Sequence, residues 1–360
     1  MPKYELLGAD LGHRGFSIAG AAGTACASAS LCFAVGTGTT LHGRRALTTN
    51  TGLIWLYNGR VWRLSTRVPI AQSSLAAISC VSRSFCLAVG RAGNPRSRAL
   101  ALRWNGRSWS QVRAGSPASS GNGDALGSVD CLSRADCFAV GAINLGEGGA
   151  GIRHDLLEHW GGARFTVLRA PSSGIDLSTI ACANAHDCWA GVSPSGAQPS
   201  TNEIARFNGR TFHVARLPES LNGGVSGISC SAAESCWLVG ARTANGEVPV
   251  AMRLSGVAWK LTTMPSPRYP DVTLQGVGCA SASDCWAVGT DTLVGPGITP
   301  PFKSAVFAEL WDGSEWQIAK VAAARSGFLA TASCAPSGLC VAGGQSAGGG
   351  ALLAVAQPLP

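Results

Sequence analysis

A short cysteine pair that recurs at a nearly constant interval constrains this chain more than any other feature. The segments are CASASLCFAVG from Cys26, CVSRSFCLAVG from Cys80, CLSRADCFAVG from Cys131, CANAHDCWAGV from Cys182, CSAAESCWLVG from Cys230, CASASDCWAVG from Cys279 and CAPSGLCVAGG from Cys334. Their starts lie 54, 51, 51, 48, 49 and 55 residues apart, and all 14 cysteines belong to the scheme. Self-similarity at a period near 50 residues marks a repeat architecture, in which one unit cannot bury its apolar face alone and neighbours must cover it.

Each repeat holds four short apolar runs. Strand A ends at the first cysteine, as in Leu75 to Cys80, and strand B starts at the second, as in Cys86 to Gly90. A variable loop leads to strand C, Ala99 to Trp104, and Asn105-Gly106 turns the chain into strand D with Trp109. Asn-Gly recurs at Asn58-Gly59 and Asn208-Gly209, with relatives at Gly161-Gly162, Ser255-Gly256 and Asp312-Gly313. Between apolar runs it predicts a two-residue type I′ hairpin turn. Four antiparallel strands repeated seven times predict an all-β, seven-bladed β-propeller filling residues 1–360 as one domain. No segment keeps a 3.6-residue period, so helix is not expected.

Composition agrees. Charged residues make up 13% of the chain against a usual value of about 25%, while Gly (47) and Trp (11) are frequent. The net charge of +8 comes almost entirely from arginine, scattered through every repeat. A nucleic-acid binder concentrates such charge in a stripe or tail, so nucleic acid is not the expected partner. No run of 18 apolar residues exists, which argues against a membrane-spanning helix. Met1 to Gly12 carries Lys3 but no apolar h-region, so no signal peptide is visible.

The seventh repeat stops after a candidate strand C, Ala351 to Ala356, and lacks a strand D. Tyr4 precedes Cys26 by 22 residues, as Trp109 precedes Cys131. Tyr4 to Leu7 therefore occupies a strand D position, and the first strand is expected to close the ring beside Leu352 to Val355. Such closure removes two open sheet edges.

The pattern resembles the kelch repeat. The matching residues are the strand B glycines Gly36, Gly90, Gly141, Gly240 and Gly289, and the strand C aromatics Tyr57, Trp104, Trp160, Phe207 and Trp311. Strand D adds Trp62, Trp109, Phe165, Phe212, Trp259 and Trp316. It departs from kelch in having a double glycine only at Gly343-Gly344, and in its cysteines. The cysteine version is closer to bacterial, predominantly secreted propeller-repeat proteins with C-x5-C-W-A-V-G and W-N-G-x-S-W segments. The resemblance covers the whole chain and implies the fold, but little about activity.

The cysteines of each pair face each other across the A–B hairpin, near the roughly 5.5–6 Å Cα spacing that disulfides prefer. The pairing expected is Cys26–Cys32, Cys80–Cys86, Cys131–Cys137, Cys182–Cys188, Cys230–Cys236, Cys279–Cys285 and Cys334–Cys340. Zinc is the rival reading, but its sites need two pairs close together, and these pairs belong to different blades. Seven disulfides point to an oxidising, extracellular or cell-surface location. The strand C and D aromatics are expected to pack within and between blades. Arg60, Arg107 and Arg210, three residues past an aromatic, are expected to stack on Tyr57, Trp104 and Phe207. Asp136, Asp187 and Asp284 in the A–B turns are expected to accept backbone hydrogen bonds.

Catalytic motifs are sparse. Gly344-Gln-Ser346-Ala-Gly348 matches G-x-S-x-G but lacks the helix a nucleophile elbow needs. Gly146-x-Gly148-x-x-Gly151 matches a dinucleotide fingerprint, again without a helix. The six histidines do not recur in register. No metal or cofactor is expected. One irregular cluster, His154, Asp155 and Glu158, breaks the apolar strand C of the third repeat and suits acid–base chemistry.

In a propeller the A–B and C–D turns share one face, and the longer, variable B–C loops share the other. Function tends to sit where loops vary. The leading expectation is an extracellular, monomeric, non-enzymatic binding scaffold for an anionic glycan or protein partner. Its candidate contacts are Arg44, Arg45, Arg91, Arg96, Arg98 and Arg153 on the B–C loops. The alternatives are a propeller hydrolase or lyase acting on polysaccharide through Asp155, Glu158 and His154, and a kelch-like adaptor.

Overall fold

A computed structural model describes residues 4–12, 15–42, 47–94, 97–115, 123–145, 152–168, 176–193, 200–244, 246–265, 271–293, 303–322 and 326–358. Every regular element among them is a strand. After β1 (Tyr4–Asp10), blade 1 is β2 (Ile18–Ser28), β3 (Leu31–His42), β4 (Leu47–Tyr57) and β5 (Trp62–Arg67). Blade 2 is β6 (Ser73–Ser82), β7 (Phe85–Ala92), β8 (Arg98–Trp104) and β9 (Trp109–Val112). Blade 3 is β10 (Asp124–Ser133), β11 (Asp136–Leu145), β12 (Ile152–Trp160) and β13 (Phe165–Leu168).

Blades 4 and 5 share a strand. β14 (Asp176–Asn184), β15 (Asp187–Ser193) and β16 (Ser200–Phe207) lead into β17 (Phe212–Ala232), whose first half is strand D of blade 4 and whose second half is strand A of blade 5. Blade 5 continues through β18 (Ser235–Ala244), β19 (Gly246–Ser255) and β20 (Ala258–Thr262). Blade 6 is β21 (Val272–Ser281), β22 (Asp284–Leu293), β23 (Lys303–Trp311) and β24 (Trp316–Ile318). After β25 (Lys320–Ala322), blade 7 is β26 (Gly327–Cys334), β27 (Cys340–Ser346) and β28 (Ala351–Pro358), completed by β1 as its strand D.

The ring closes as the repeat count requires. β1 runs antiparallel to β28, with Leu7 opposite Val355 and Asp10 opposite Leu352. A feature with no sequence signal adds to this: β25 lies parallel on the outer side of β1, with Glu5 opposite Lys320. The last blade therefore has five strands.

Two local devices repeat. Strand A carries a bulge, as between Leu75 and Ala77 or Leu126 and Ser128, which bends it toward strand B. The glycine ending Val-Gly sits against that bend. A Cβ at Gly36, Gly90, Gly141 or Gly289 would strike the carbonyl of Gly20, Ser74, Ala125 or Thr273. The second device is the cysteine pair. All seven disulfides form within their own hairpin. Their Cα atoms are 3.9–4.1 Å apart, closer than the spacing expected above. The cysteines are direct register partners, and in three blades the first one's amide donates to a neighbouring blade rather than across the hairpin. This is the narrow type of antiparallel pair.

The aromatics join blade to blade. Strand C and D aromatics are directly opposite each other, as in Trp104–Trp109, Phe207–Phe212 and Trp311–Trp316. In blades 1, 3 and 5 the aromatic that follows the second cysteine packs on this couple in the next blade. Phe33 meets Trp104 and Trp109 at 5.3 Å, Phe138 meets Phe207 at 5.4 Å, and Trp237 meets Trp311 at 4.7 Å and Trp316 at 5.0 Å. Each such triad removes two adjacent faces from water at once and so fixes the angle between blades.

The C–D turns differ from expectation. In blades 1, 2 and 4 the connection has four residues, not two, because Tyr57 pairs with Trp62, Trp104 with Trp109 and Phe207 with Phe212. Asn58 Oδ1 accepts the amides of Arg60 (3.1 Å) and Val61 (3.0 Å), and Asn105 and Asn208 repeat the arrangement. Positive φ is confined to the glycine, +91° at Gly59. A side chain that accepts two amides holds Asn itself in an ordinary conformation. Only blade 5 has a two-residue turn there, with Ser255 opposite Ala258. Arg60, Arg107 and Arg210 consequently sit in the exposed turn rather than opposite the aromatics, and the predicted stacking is not formed. Other arginines stack instead: Arg206 over Trp189 at 5.2 Å and Arg253 over Trp237 at 5.8 Å.

Candidate functional site

Seven innermost strands surround a central channel with a volume of about 410 Å³. Its walls carry small side chains such as Gly23, Ala77, Ser128, Thr179, Gly227 and Thr331. Among the described residues Asp130 is the one charged side chain on that wall. It is spoken for: Oδ2 accepts the Cys182 amide at 2.7 Å, and Ser79 donates to Oδ1 at 3.4 Å. Burial raises its pKa, opposed by the Cys182 and Cys131 amides and the Ser79 hydroxyl. Ser79 and Ser229 receive the Cys131 and Cys279 amides in the same way. The polar atoms of the channel thus mostly stitch neighbouring blades together.

The B–C loops lie at the far end of the strands from the disulfides. Arg91 pairs with Ala99 and Arg98 with Ala92, so these two arginines project from opposite faces of blade 2 near its end. Both are exposed and neither has a carboxylate partner among the described residues. Arg153 lies in β12 opposite Asn144. Arg44, Arg45 and Arg96 fall outside the described residues.

The ionisable cluster of blade 3 is split by strand geometry. His154 lies opposite Ile143. Asp155 and Glu158 are three residues apart in one strand, so they face opposite sides of the sheet. Asp155, 5% exposed, accepts the Leu177 amide of blade 4 at 3.0 Å. Glu158 is fully buried on the blade 2 side. Burial pushes its pKa up to about 7; the nearby Gly115 amide opposes this and Asp124 adds to it. The two carboxyls therefore do not flank a common space.

Glu309 carries no motif that marks it in the sequence. It occupies the equivalent place in blade 6, two residues before the strand C tryptophan, and is also fully buried. Burial pushes it up to about 8. A search of that repeat column for acids would find it. The A–B turn acids also differ from expectation. Asp136 accepts from His159 and Asp187 from Arg206, each at 2.8 Å, in place of backbone amides. Ser346 is occupied structurally, its hydroxyl accepting the Gly350 amide at 3.2 Å in a turn between two strands. Among the described residues no three His, Cys, Asp or Glu side chains converge as a metal site, and no helix is long and apolar enough to cross a membrane.

The architecture is that of a β-propeller, a class defined by its ring of four-stranded blades. Solved structures agree. The chain is similar to YCF48 bound to D1 peptide, with 12% identity, a TM-score of 0.56, and coverage of 98% of this chain and 97% of that one. It is equally similar to YCF48 from Cyanidioschyzon merolae, at 12% identity and TM-score 0.56, covering 97% and 98% of the two chains. At that identity the likeness shows the fold alone. No protein-family model and no curated protein matches the chain.

Proposed function

We propose that this protein is a non-enzymatic binding scaffold working in an oxidising, extracellular or cell-surface setting. It recognises an anionic group on a protein partner or glycan through its B–C loop face. One observation carries the reading. The residues that repeat are consumed by the fold, as disulfides, inter-blade aromatics, bulge glycines and turn caps. What varies between blades is the B–C side, where Arg91 and Arg98 stand without acidic partners. Guanidinium suits bidentate capture of carboxylate or sulfate. The likeness to a propeller solved with a bound peptide adds support for a protein partner. Seven disulfides support the location, since such bonds persist where thiols are not kept reduced.

Binding to immobilised acidic polysaccharide and to an acidic peptide, each followed against salt, tests the reading. Arg96→Ala with Arg98→Ala should weaken binding to the true ligand class. Arg60→Ala with Arg107→Ala, on the opposite face, should leave it unchanged. Equal losses from both pairs would reduce the attraction to non-specific charge.

A further inference from the structure

The A–B turns reveal a rule about arginine. In blade 1, Ser28 and Ser30 both accept from Arg83 of blade 2, at 3.0 and 2.8 Å. In blade 2, Ser82 and Ser84 both accept from Arg134 of blade 3, at 3.3 and 2.6 Å. The Ser-x-Ser turn is thus a guanidinium acceptor filled by the following blade. A second acceptor adjoins it. The residue before the second cysteine is a register partner of the first serine position, as Ser133 is of Asp136, so both project to one side. Where that residue is Asp, a strand C cation satisfies it: His159 for Asp136 and Arg206 for Asp187.

Blade 6 has both acceptors and neither cation. Ser281 and Ser283 reproduce the turn, with the Ser283 amide on Ser281 Oγ at 3.2 Å as the Ser30 amide is on Ser28 Oγ. Trp311 Nε1 donates to the Ala282 carbonyl just as Trp104 donates to that of Arg83. Asp284 is the register partner of Ser281. Yet blade 7 offers Ser337 where blades 2 and 3 have Arg83 and Arg134, and strand C offers Leu310 where blade 4 has Arg206. The serine hydroxyls are exposed and touch each other at 3.3 Å, leaving acceptor lone pairs free. Asp284 is half-buried and has no partner among the described residues. Burial raises its pKa, as for a carboxylate lacking its cation.

We propose that the A–B turn of blade 6 is a docking site for an arginine side chain of a protein partner, held by the Asp284 carboxylate and the Ser281 and Ser283 hydroxyls. The ligand chemistry is the one the molecule itself places on these groups in blades 1, 2 and 4. The site lies on the face opposite the B–C loops and stands independently of the function proposed for them. A carboxylate with two hydroxyl acceptors matches the several forked donors of guanidinium better than the compact ammonium of lysine.

The test is an NMR titration of the intact protein with N-acetyl-arginine methylamide and, separately, its lysine counterpart. Arginine should give saturable shifts at the amides of residues 281–284, with an affinity about fivefold above lysine. Asp284→Asn should lower that affinity about fivefold or more while leaving the rest of the spectrum in place. Leu310→Arg should abolish it, because it supplies from strand C the guanidinium that Arg206 supplies in blade 4, beside Trp286 in the place of Trp189. The isosteric Asp284→Asn keeps the test decisive if Leu310→Arg fails to fold. Shifts spread over several turns, equal binding of lysine, equal binding by Asp284→Asn, or no saturable shift would each overturn the proposal.

Discussion

Glu158 and Glu309 carry their carboxyls into inter-blade cores where no oxygen completes a hydrogen bond. The Gly115 amide approaches Glu158 and offsets its burial only in part, and Glu309 has no such neighbour among the described residues. A buried carboxyl without a partner is tolerated as the neutral acid. The native state then keeps a proton that the unfolded chain releases, from about pH 4.5 up to about 7 for Glu158 and about 8 for Glu309. The folded pKa is raised above the unfolded one, so stability falls as pH rises through that window and levels off above it. Glu309→Gln should raise the melting temperature by several degrees at pH 8.5, leave it nearly unchanged at pH 4.5, and flatten the slope between. A melting curve at pH 8.5 no higher than the wild type's would show that Glu309 finds a partner. The two acids differ in legibility. Glu158 stands among four ionisable groups and breaks an apolar strand visibly. Glu309, inside Phe307-Ala-Glu-Leu-Trp311, reads as the solvent-facing step of an ordinary alternating strand. In a propeller both sheet faces are covered by neighbouring blades, so alternation does not separate core from solvent.

At the scale of elements, the hairpins were the most readable parts, because their ends are set by residues with one chemical use. Cysteines in strict register define the A–B turn, and reduction under native conditions should lower stability by roughly 2 kcal/mol per bond on the chain-entropy model. Non-reducing peptide mapping should recover seven links, none between repeats. The C–D turn was half readable. Asn-Gly marks its place, but whether Asn adopts positive φ or caps two amides depends on how strands C and D are held. Here the cross-strand aromatic couple sets the register at Trp104–Trp109 and leaves four residues to be turned. Asn105→Ala should cost about 1 kcal/mol in chemical denaturation, losing two amide contacts. Asn105→Asp should be tolerated, since Asp312 accepts the amides of Ser314 and Glu315 in the same way. The Ser314 hydroxyl, which donates to Asp312 Oδ1 at 2.7 Å, and then these two amides hold the Asp312 carboxyl down to about 2. A larger loss in Asn105→Asp than in Asn105→Ala would refute the shared capping role.

For the whole molecule the decisive contact is the one that makes a line of repeats into a ring. Seven repeats joined only to their sequence neighbours would leave blade 7 without a strand D. β1 supplies that strand, paired antiparallel to β28 along its whole length from Tyr4–Pro358 to Asp10–Leu352. The offset of Tyr4 from Cys26 made this pairing legible in the sequence. The parallel contact with β25 was not, because Lys320 to Ala322 is too short to show a period and follows blade 6 in the chain. Together they mean that removing β1 opens two edges rather than one: the outer edge of β28 and the inner edge of β25. Unpaired edges recruit other chains. Deleting residues 1–10 should therefore lower the melting temperature by several degrees and promote association, measured by calorimetry and light scattering. A circular permutant separates loss of the strand from loss of the terminus. Its new ends lie in the β1–β2 connection, and a four-residue Asn-Gly-containing turn joins residue 358 to residue 4, making blade 7 covalently like the others. It should melt at or above the temperature of the native chain. A permutant that melts as low as the deletion would show that the order of the chain, rather than the β1–β28 ladder, holds the ring shut.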